Sequence, residues 1–227
     1  MTSSRGVYMS YNIEIIRKNQ HKTSKWSGGT TTELYIYPVD SLYSHRNFKW
    51  RLSSAKVEVE CSTFTSLPGV SRVIMIIEGQ LLLEHEGHHS VMLSALQQDS
   101  FSGEWTTRSV GKVTDFNLML AKGYKGRLGC IYFNKGESKD ILLCNNVNYA
   151  EKISGITEAF YIVKGDIEID TGVKGKISLI KGDLALVTRT DQEITSEFKI
   201  NCSCKEETEI IKASIYTKFN FLINNCE

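Results

Sequence analysis

This 227-residue sequence predicts an all-β protein that contains two similar β units. Two observations support that fold class. Short runs of β-branched and aromatic residues recur along the chain between glycine turns, which is typical of a barrel or a sandwich. In addition, Leu67–Glu84 has a weaker copy of itself 86 residues later, at Ile153–Asp170. A spacing repeated in this way indicates a duplicated structural unit.

The strand signals come in order along the chain. Within the repeat, Gly79 and Gly165 each lie between two apolar runs, where glycine supplies the positive φ of a hairpin turn. We expect only a short helical turn near Val39–Tyr43, and we expect Lys205–Lys212 to be a solvated charged stretch. The runs that predict strands are Thr32–Tyr37, Lys49–Val59, Val73–Ile77, Leu81–Glu84, Phe116–Leu120, Leu128–Phe133, Ala159–Val163 and Asp166–Ile169.

Composition limits the class of protein. A hydrophobic fraction of 41% is enough for a core, and a net charge of +1 gives no electrostatic reason to expect nucleic acid or a membrane surface as partner. No apolar run approaches the roughly 18 residues that span a bilayer. The N-terminus lacks the apolar segment of a secretory signal, and the six cysteines are typical of reduced thiols. We therefore expect a cytoplasmic protein.

The residue seven positions before the hairpin glycine is Arg72 in the first copy and Glu158 in the second. This glycine turn with a polar residue upstream resembles a cupin barrel, whose metal-binding members carry two histidines and an acidic ligand on the same strand. The residues just before Arg72 and Glu158 include no histidine, so we expect no metal and no cofactor. Inside a barrel, Arg72 either binds a carboxylate or phosphate through its guanidinium or pairs with a structural carboxylate such as Asp115.

Five motifs extend this resemblance from about Met9 to Gly126. The chain resembles the HutD/Ves family of bicupins, with Ser27, Thr30, Ser71 and Glu104 as departures from the family pattern. The motifs are Trp26 to Leu34 (WSGGTTTEL), Trp50 to Ala55 (WRLSSA), Phe64 with Leu67 to Arg72 (LPGVSR), Phe101 to Glu104 (FSGE) and Asp115 to Met119 (DFNLM).

The resemblance implies a fold and a role. The fold is a bicupin, two cupin-like β-barrels packed into one compact unit. We expect residues 9–125 to form the first barrel and residues 126–227 a degenerate second one, with strands exchanged across the boundary and residues 1–8 as a poorly ordered extension. One branch of the family lies with histidine-utilisation genes, and a regulatory role in binding an intermediate such as formylglutamate has been proposed for it.

Strand alternation identifies the candidate ligand-binding residues. Period two places Arg51 and Ser53 on one face of their strand, and Asp115 and Asn117 on one face of theirs. Arg51 lines a cavity or lies in a salt bridge at the rim. Asp115, Asn117 and Glu33 either contact a ligand or orient the two arginines.

The loop Phe101 to Trp105 contributes further candidates. With Gly103 at its centre, it is expected to cover a barrel mouth. Phe101 then caps the ligand or packs in the core, and Glu104 completes the motif. Trp26 is either a packing anchor or a pocket residue.

These residues predict a metal-free binding protein for a small anionic metabolite, a carboxylate or an amino-acid derivative, with a regulatory role in amino-acid catabolism or stress. The alternative is a small-molecule enzyme of the cupin superfamily, either metal-dependent through Glu158 or a metal-free isomerase or hydrolase. His85 and His89 approach each other across the turn at Gly87, where we expect weak adventitious metal binding. Exposed edge strands leave room for a homodimer.

Overall fold

A computed structural model describes residues 11–143, 153–171, 175–189 and 198–218, which form 19 β-strands in four antiparallel sheets. The first large sheet has six strands. Their order is β2 (Lys22–Trp26), β3 (Gly29–Tyr37), β4 (Trp50–Val57), β11 (Val113–Ala121), β6 (Val70–Gly79) and β9 (Gln98–Ser102). The sheet that faces it has four strands in the order β5 (Cys61–Thr63), β10 (Thr107–Val110), β7 (Leu81–His85) and β8 (Ser90–Leu93).

The second half of the chain builds a similar pair of sheets. Its large sheet has the order β1 (Asn12–Ile16), β17 (Leu184–Arg189), β14 (Ile153–Lys164), β19 (Thr208–Lys218) and β12 (Tyr124–Phe133). Its small sheet has the order β13 (Ser138–Leu143), β18 (Phe198–Ser203), β15 (Asp166–Asp170) and β16 (Lys176–Ile180). The strand β1 therefore joins the second large sheet, although its residues fall in the range 9–125 that the sequence assigns to the first barrel.

Three hydrophobic layers hold the four sheets together. The two large sheets pack against each other through a core that includes Leu52 and Phe116 from one sheet and Leu186 and Ile211 from the other. A second core fills the space between the six-stranded sheet and its four-stranded partner, and a third does the same in the second half. Each half is thus a pair of packed sheets that shares one face with the other half, because each large sheet contributes apolar side chains on both of its sides.

The all-β fold class is confirmed. Hairpin glycines take the expected left-handed backbone, with φ of 92° at Gly79 and 78° at Gly165. The helical turn is a 3₁₀ turn at Tyr43–His45, slightly later than expected, and a second one occupies Lys18–Gln20. The division at residues 125 and 126 stays a prediction.

One prediction was wrong. The stretch Lys205–Lys212 is not uniformly solvated, because β19 begins at Thr208 and places Ile210 and Ile211 in two different cores. The strand β19 lies inside its sheet and is covered on both faces, so it has few positions for charged side chains. Most of the charged residues of this stretch therefore come before the strand, and Glu209 and Lys212 flank its two isoleucines. In the described part of the chain, no helix is long and apolar enough to cross a membrane.

Candidate functional site

A cavity of about 310 Å³ lies within the first pair of sheets. Its wall combines two guanidinium groups, one carboxyl group, one amide, a set of hydroxyl groups and a few apolar side chains. The lining residues are Ser24, Trp26, Thr31, Tyr43, Arg51, Ser53, Ala55, Val57, Ser62, Thr63, Phe64, Thr65, Arg72, Asp115, Asn117 and Met119. The hydrophobic core of this half fills the remaining space between the sheets.

The alternation of β4 and β11 brings the polar residues together. On β4, Arg51 and Ser53 point into the cavity, while Trp50 and Leu52 pack between the two large sheets. On the neighbouring strand β11, Asp115 and Asn117 also line the cavity, and the antiparallel pairing of the two strands sets Asn117 directly opposite Ser53. Cross-strand pairs on one face lie about 5 Å apart, so polar residues on adjacent strands form a single polar wall.

A β-bulge places Glu33 beside Arg51, next to this wall. Glu33 pairs with Ser53 across β3 and β4, and the register then shifts before Tyr35. The extra residue lets Leu34 and Tyr35 both pack in the core between the large sheets while Glu33 keeps its inward direction. A local irregularity in β3 therefore supplies the carboxylate that faces Arg51.

Arg51 is a buried arginine with fixed partners. Its Nε donates to Glu33 Oε2 at 2.7 Å, and its Nη1 donates to Ser53 Oγ at 2.9 Å. The guanidinium carbon lies 4.4 Å from the centre of the Tyr43 ring, within the range of a cation–π contact. These contacts hold Arg51 rigidly in the wall, with its charge balanced by Glu33.

Arg72 has weaker support although it is 93% shielded from solvent. Its Nη2 donates to Asn117 Oδ1 at 3.3 Å, and its Nε has no hydrogen-bond partner. The rings of Phe64 and Phe101 lie 4.7 and 5.2 Å from its guanidinium carbon. Burial lowers the pKa of Arg72 to about 10, which leaves the group cationic at neutral pH. A buried N–H without a partner costs about 1–3 kcal/mol, so a hydrogen-bond acceptor placed against this N–H would be stabilised.

Asp115 is the second group with an unused polar atom. It is buried beside Arg72, and its Oδ1 has no hydrogen-bond partner. Burial raises the pKa of Asp115 to about 7, against the opposing effects of Arg72, the backbone N–H of Ala55 and the side chain of Asn117. Near neutral pH a large share of the molecules therefore carries a neutral carboxyl here. In that state the wall carries the two guanidinium groups, and the nearby carboxylate is that of Glu33, which is paired with Arg51.

The remaining predicted residues occupy different positions. Trp26 lines the cavity at its exposed edge, with 39% of its surface exposed, and its ring covers Gly28 so closely that a Cβ there would lie 2.1 Å from a ring atom. Phe101 belongs to β9, packs in the core against Arg72 and lies outside the cavity lining, so its capping role stays a prediction. Glu104 lies outside the cavity, where its Oε1 accepts from the backbone N–H of Gly69 at 3.0 Å.

Two aromatic residues of the wall were not predicted as site residues. Tyr43 lies on the 3₁₀ turn and stacks on Phe48 with ring centres 6.2 Å apart. Phe64 follows β5 and reaches Arg72 from the opposite sheet. The motif around Phe64 drew attention to that residue, whereas no periodic pattern marks Tyr43.

The donor set of the cavity does not fit a divalent metal ion. Among its described lining residues there is one carboxyl group, that of Asp115, and neither histidine nor cysteine. Metal centres in proteins need three or four such ligands, and two neighbouring guanidinium groups repel a cation. In the second half, Glu158 accepts from Ser214 Oγ at 2.6 Å and lies 3.3 Å from Lys212 Nζ, so its carboxylate is already engaged.

Comparison with known proteins gives the chain its relatives. Of the solved structures, PA5104 from Pseudomonas aeruginosa PAO1 is similar with a TM-score of 0.72 at 22% identity, over 90% of this chain and 98% of that one. HutD from Pseudomonas fluorescens SBW25 is similar with a TM-score of 0.63 at 21% identity, over 92% and 100%. The nickel(II) complex of the pirin YhhW from Escherichia coli has a TM-score of 0.61 at 9% identity, over 91% and 99%.

At these identities the similarity establishes the fold, which is the cupin fold. Among curated proteins, none matches this chain significantly. The family model of HutD matches residues 18–211, which is most of the chain and includes every residue of the cavity wall. The chain belongs to the HutD family.

Proposed function

We propose that this cupin-type protein binds a small anionic metabolite, a carboxylate or an amino-acid derivative, in the cavity of its first half. The observation that supports it most is that Arg72 lines the cavity with a buried guanidinium group, whose Nε has no hydrogen-bond partner. A carboxylate placed against that guanidinium accepts two parallel hydrogen bonds and neutralises its charge. No metal ion takes part in this binding.

The rest of the wall favours a polar carboxylate over a purely apolar one. Arg51 is already paired with Glu33, so it contributes fixed positive charge and a rigid surface. Asp115 and Asn117 offer hydrogen bonds next to Arg72, and several hydroxyl groups complete the wall. Tyr43 and Phe64 supply apolar faces. A short chain with a carboxylate at one end and an amide or amine at the other matches this distribution.

Membership of the HutD family supports a regulatory role in amino-acid catabolism, with the ligand as the signal. The structure of the Pseudomonas fluorescens HutD is described for a formate condition, which makes formate a suitable first probe. Formylated and free amino-acid carboxylates extend the same chemistry by one functional group at a time.

The test is a thermal-shift screen of small carboxylates with and without EDTA. A ligand present at 100 times its Kd adds about 2.7 kcal/mol of apparent stability, which for a chain of this size is a shift of about 5–11 °C. We expect hits among polar carboxylates that are unchanged by EDTA. A hit that disappears with EDTA, or none among carboxylates, would contradict the proposal.

Substitution of Arg72 then tests the role of this residue in ligand binding. Arg72→Ala should weaken binding of the best carboxylate by about 2–5 kcal/mol, because the ligand charge is left buried without its partner. Arg108→Ala is the matched control, since Arg108 is exposed on β10 and outside the cavity wall. Equal affinities for the wild type and a folded Arg72→Ala variant would exclude this assignment.

The second candidate is an acid–base enzyme, and Asp115 supports it. A buried carboxyl group with a pKa of about 7 in a cavity has the property of a general acid or base at neutral pH. A measurement of turnover distinguishes the enzyme from the binding protein. If bound carboxylates are converted, Asp115→Asn abolishes the reaction and keeps binding. If the protein only binds, every ligand is recovered unchanged.

A further inference from the structure

A second group of polar side chains lies on the other side of Phe101 from the cavity. His85 Nε2 and His89 Nε2 lie 2.9 and 3.1 Å from the same oxygen of Asp99, Oδ2. One potential ligand atom from each of the three residues lies within 4.8 Å of the others. The side chain of His85 is fully buried, that of Asp99 is 16% exposed and that of His89 is 42% exposed. Three such donors therefore converge at the edge of the protein, open to solvent on one side.

The fold brings them together from two sheets. The turn between β7 and β8 passes through Gly87 with φ of 75°, and the backbone N–H of His85 donates to His89 O at 2.9 Å. Across this turn the two imidazoles come within 4.7 Å, centre to centre. Asp99 comes from β9 in the opposite sheet. A cation held by all three would link the two sheets of the first half.

The two nitrogen–oxygen distances are compatible with a tetrahedral ion, and all three ligand atoms lie within 4.8 Å of one another. With metal–ligand bonds of about 2.0–2.1 Å, neighbouring ligand atoms around a tetrahedral Zn²⁺ lie about 3.3 Å apart. The observed 2.9 and 3.1 Å are within a few tenths of an ångström of that edge. The three residues leave a fourth position open to the cleft at the β7–β8 turn, for water or another ligand.

The surroundings of His85 are those of a metal-binding histidine. Its Nδ1 lies 2.8 Å from Thr107 Oγ1, a contact that fixes the ring with Nε2 directed at Asp99. Such a partner on the second ring nitrogen orients metal-bound histidines in general. His88, in the same turn, is directed elsewhere and stacks on Trp105 with ring centres 3.7 Å apart. Of the three histidines at this turn, only His85 and His89 therefore belong to the candidate ligand set.

We propose that His85, His89 and Asp99 bind one divalent transition-metal ion, and that Zn²⁺ fits their two nitrogens and one oxygen best. This replaces the expectation of weak adventitious binding at the histidine turn. The site is separate from the anion cavity. The two are nevertheless in contact through Phe101, whose ring centre lies 4.6 Å from that of His85 and 5.2 Å from the guanidinium carbon of Arg72. The metal ion links β7 to β9 and so holds in place the Phe101 ring, against which Arg72 packs.

The test uses the full chain without a histidine tag, stripped with EDTA and dialysed. Zn²⁺ is titrated in competition with a chromophoric chelator, and melting is followed in parallel. We expect one ion per chain and a higher melting temperature. Each of the variants His85→Ala, His89→Ala and Asp99→Ala should weaken Zn²⁺ binding by at least about 100-fold, since even residues that only support metal ligands account for about 10–100-fold. If His85→Ala fails to fold, the half-exposed His89 still provides the test.

His88→Ala is the matched control. It removes a histidine from the same turn, and we expect its affinity for Zn²⁺ to stay within about threefold of the wild type because His88 lies outside the ligand set. In Co²⁺-substituted protein, the strong visible absorption of tetrahedral cobalt should appear in the wild type and in His88→Ala, and be absent from His89→Ala. Equal weakening by His88→Ala and His89→Ala, binding of several ions with similar affinity, or no saturable binding would overturn the proposal.

Discussion

The two halves of the molecule use equivalent strands to hold opposite charges. In the first half β4, β11, β6 and β9 are neighbours in that order, and in the second β12, β19, β14 and β17 are neighbours in the same order. Arg72 pairs with Met119 in one ladder, and Glu158, its counterpart in the repeat, pairs with Ser214 in the other. Asn117 lies two residues before Met119 on β11, and Lys212 lies two residues before Ser214 on β19.

These equivalent positions differ in whether the buried charge is matched from within. Glu158 accepts from Ser214 at 2.6 Å and has Lys212 Nζ at 3.3 Å, so the chain itself balances its charge. The hydrogen-bond partner of Arg72 is the neutral amide of Asn117 at 3.3 Å, and the carboxyl group of Asp115 is only partly ionised near pH 7 because burial raises its pKa to about 7. One fold thus gives an internally neutralised pair in one half and an incompletely matched cation in the other. This difference around Arg72 is the reason why we propose the first half as the binding half.

The largest expected effect is on stability in the second half. Glu158→Ala leaves the ammonium group of Lys212, 14% exposed, buried without that carboxylate, and removal of one member of a buried pair costs about 3–5 kcal/mol. Urea denaturation measures the loss. Replacing both residues by methionine should restore most of it, since an apolar pair of similar volume is close to neutral. A loss below about 1 kcal/mol for Glu158→Ala would show that the pair is not what balances this half.

A smaller effect is expected from pH in the first half. Below pH 7 Asp115 is mainly protonated and the cavity attracts an anion, while above pH 7 its carboxylate repels one. We expect the Kd of a carboxylate ligand to rise by up to about tenfold between pH 6.5 and 8, since one pKa unit corresponds to a tenfold change. Calorimetry at several pH values measures this slope. Asp115→Asn should flatten it, and a slope unchanged by that substitution would assign the effect to another group.

Asp115 also makes the free energy of unfolding depend on pH. The pKa of Asp115 is raised from 3.8 to about 7, so the folded chain binds a proton that the unfolded chain has released. The stability that this proton contributes is complete below about pH 4 and is lost as the pH rises to 7. Asp115→Asn should therefore melt at a higher temperature than the wild type above pH 7 and lose that advantage near pH 4.

Alternation along the strands is what made much of the site predictable. Period two alone places Arg51 with Ser53 and Asp115 with Asn117, and the structure puts all four in one wall. The sequence contains no information of that kind on register, so it did not reveal that Asn117 lies opposite Ser53. The bulge that directs Glu33 inward is equally invisible, because one extra residue in a strand leaves the apolar pattern nearly unchanged.

Contacts between distant segments account for what sequence reasoning missed. The sequence predicts a loop at Phe101 because Gly103 follows it, yet pairing with β6 extends the strand through Ser102 and buries the Phe101 ring. Asp99 lies ten residues from His89 and carries no local signal of its role, so the histidine turn alone looked like a weak site. Packing of one sheet on another decides both cases, and no local pattern records it.

The most direct test of the difference between the halves is to give the first half the pair of the second. The double variant Arg72→Glu with Asn117→Lys should fold, because it reproduces the Glu158 and Lys212 arrangement on equivalent strands, and it should bind no carboxylate. Titration calorimetry with the best ligand from the screen, together with a melting curve, measures both properties. A folded double variant without detectable carboxylate binding is the expected result. Carboxylate binding at wild-type affinity in that variant would contradict the claim that an unmatched Arg72 makes the site.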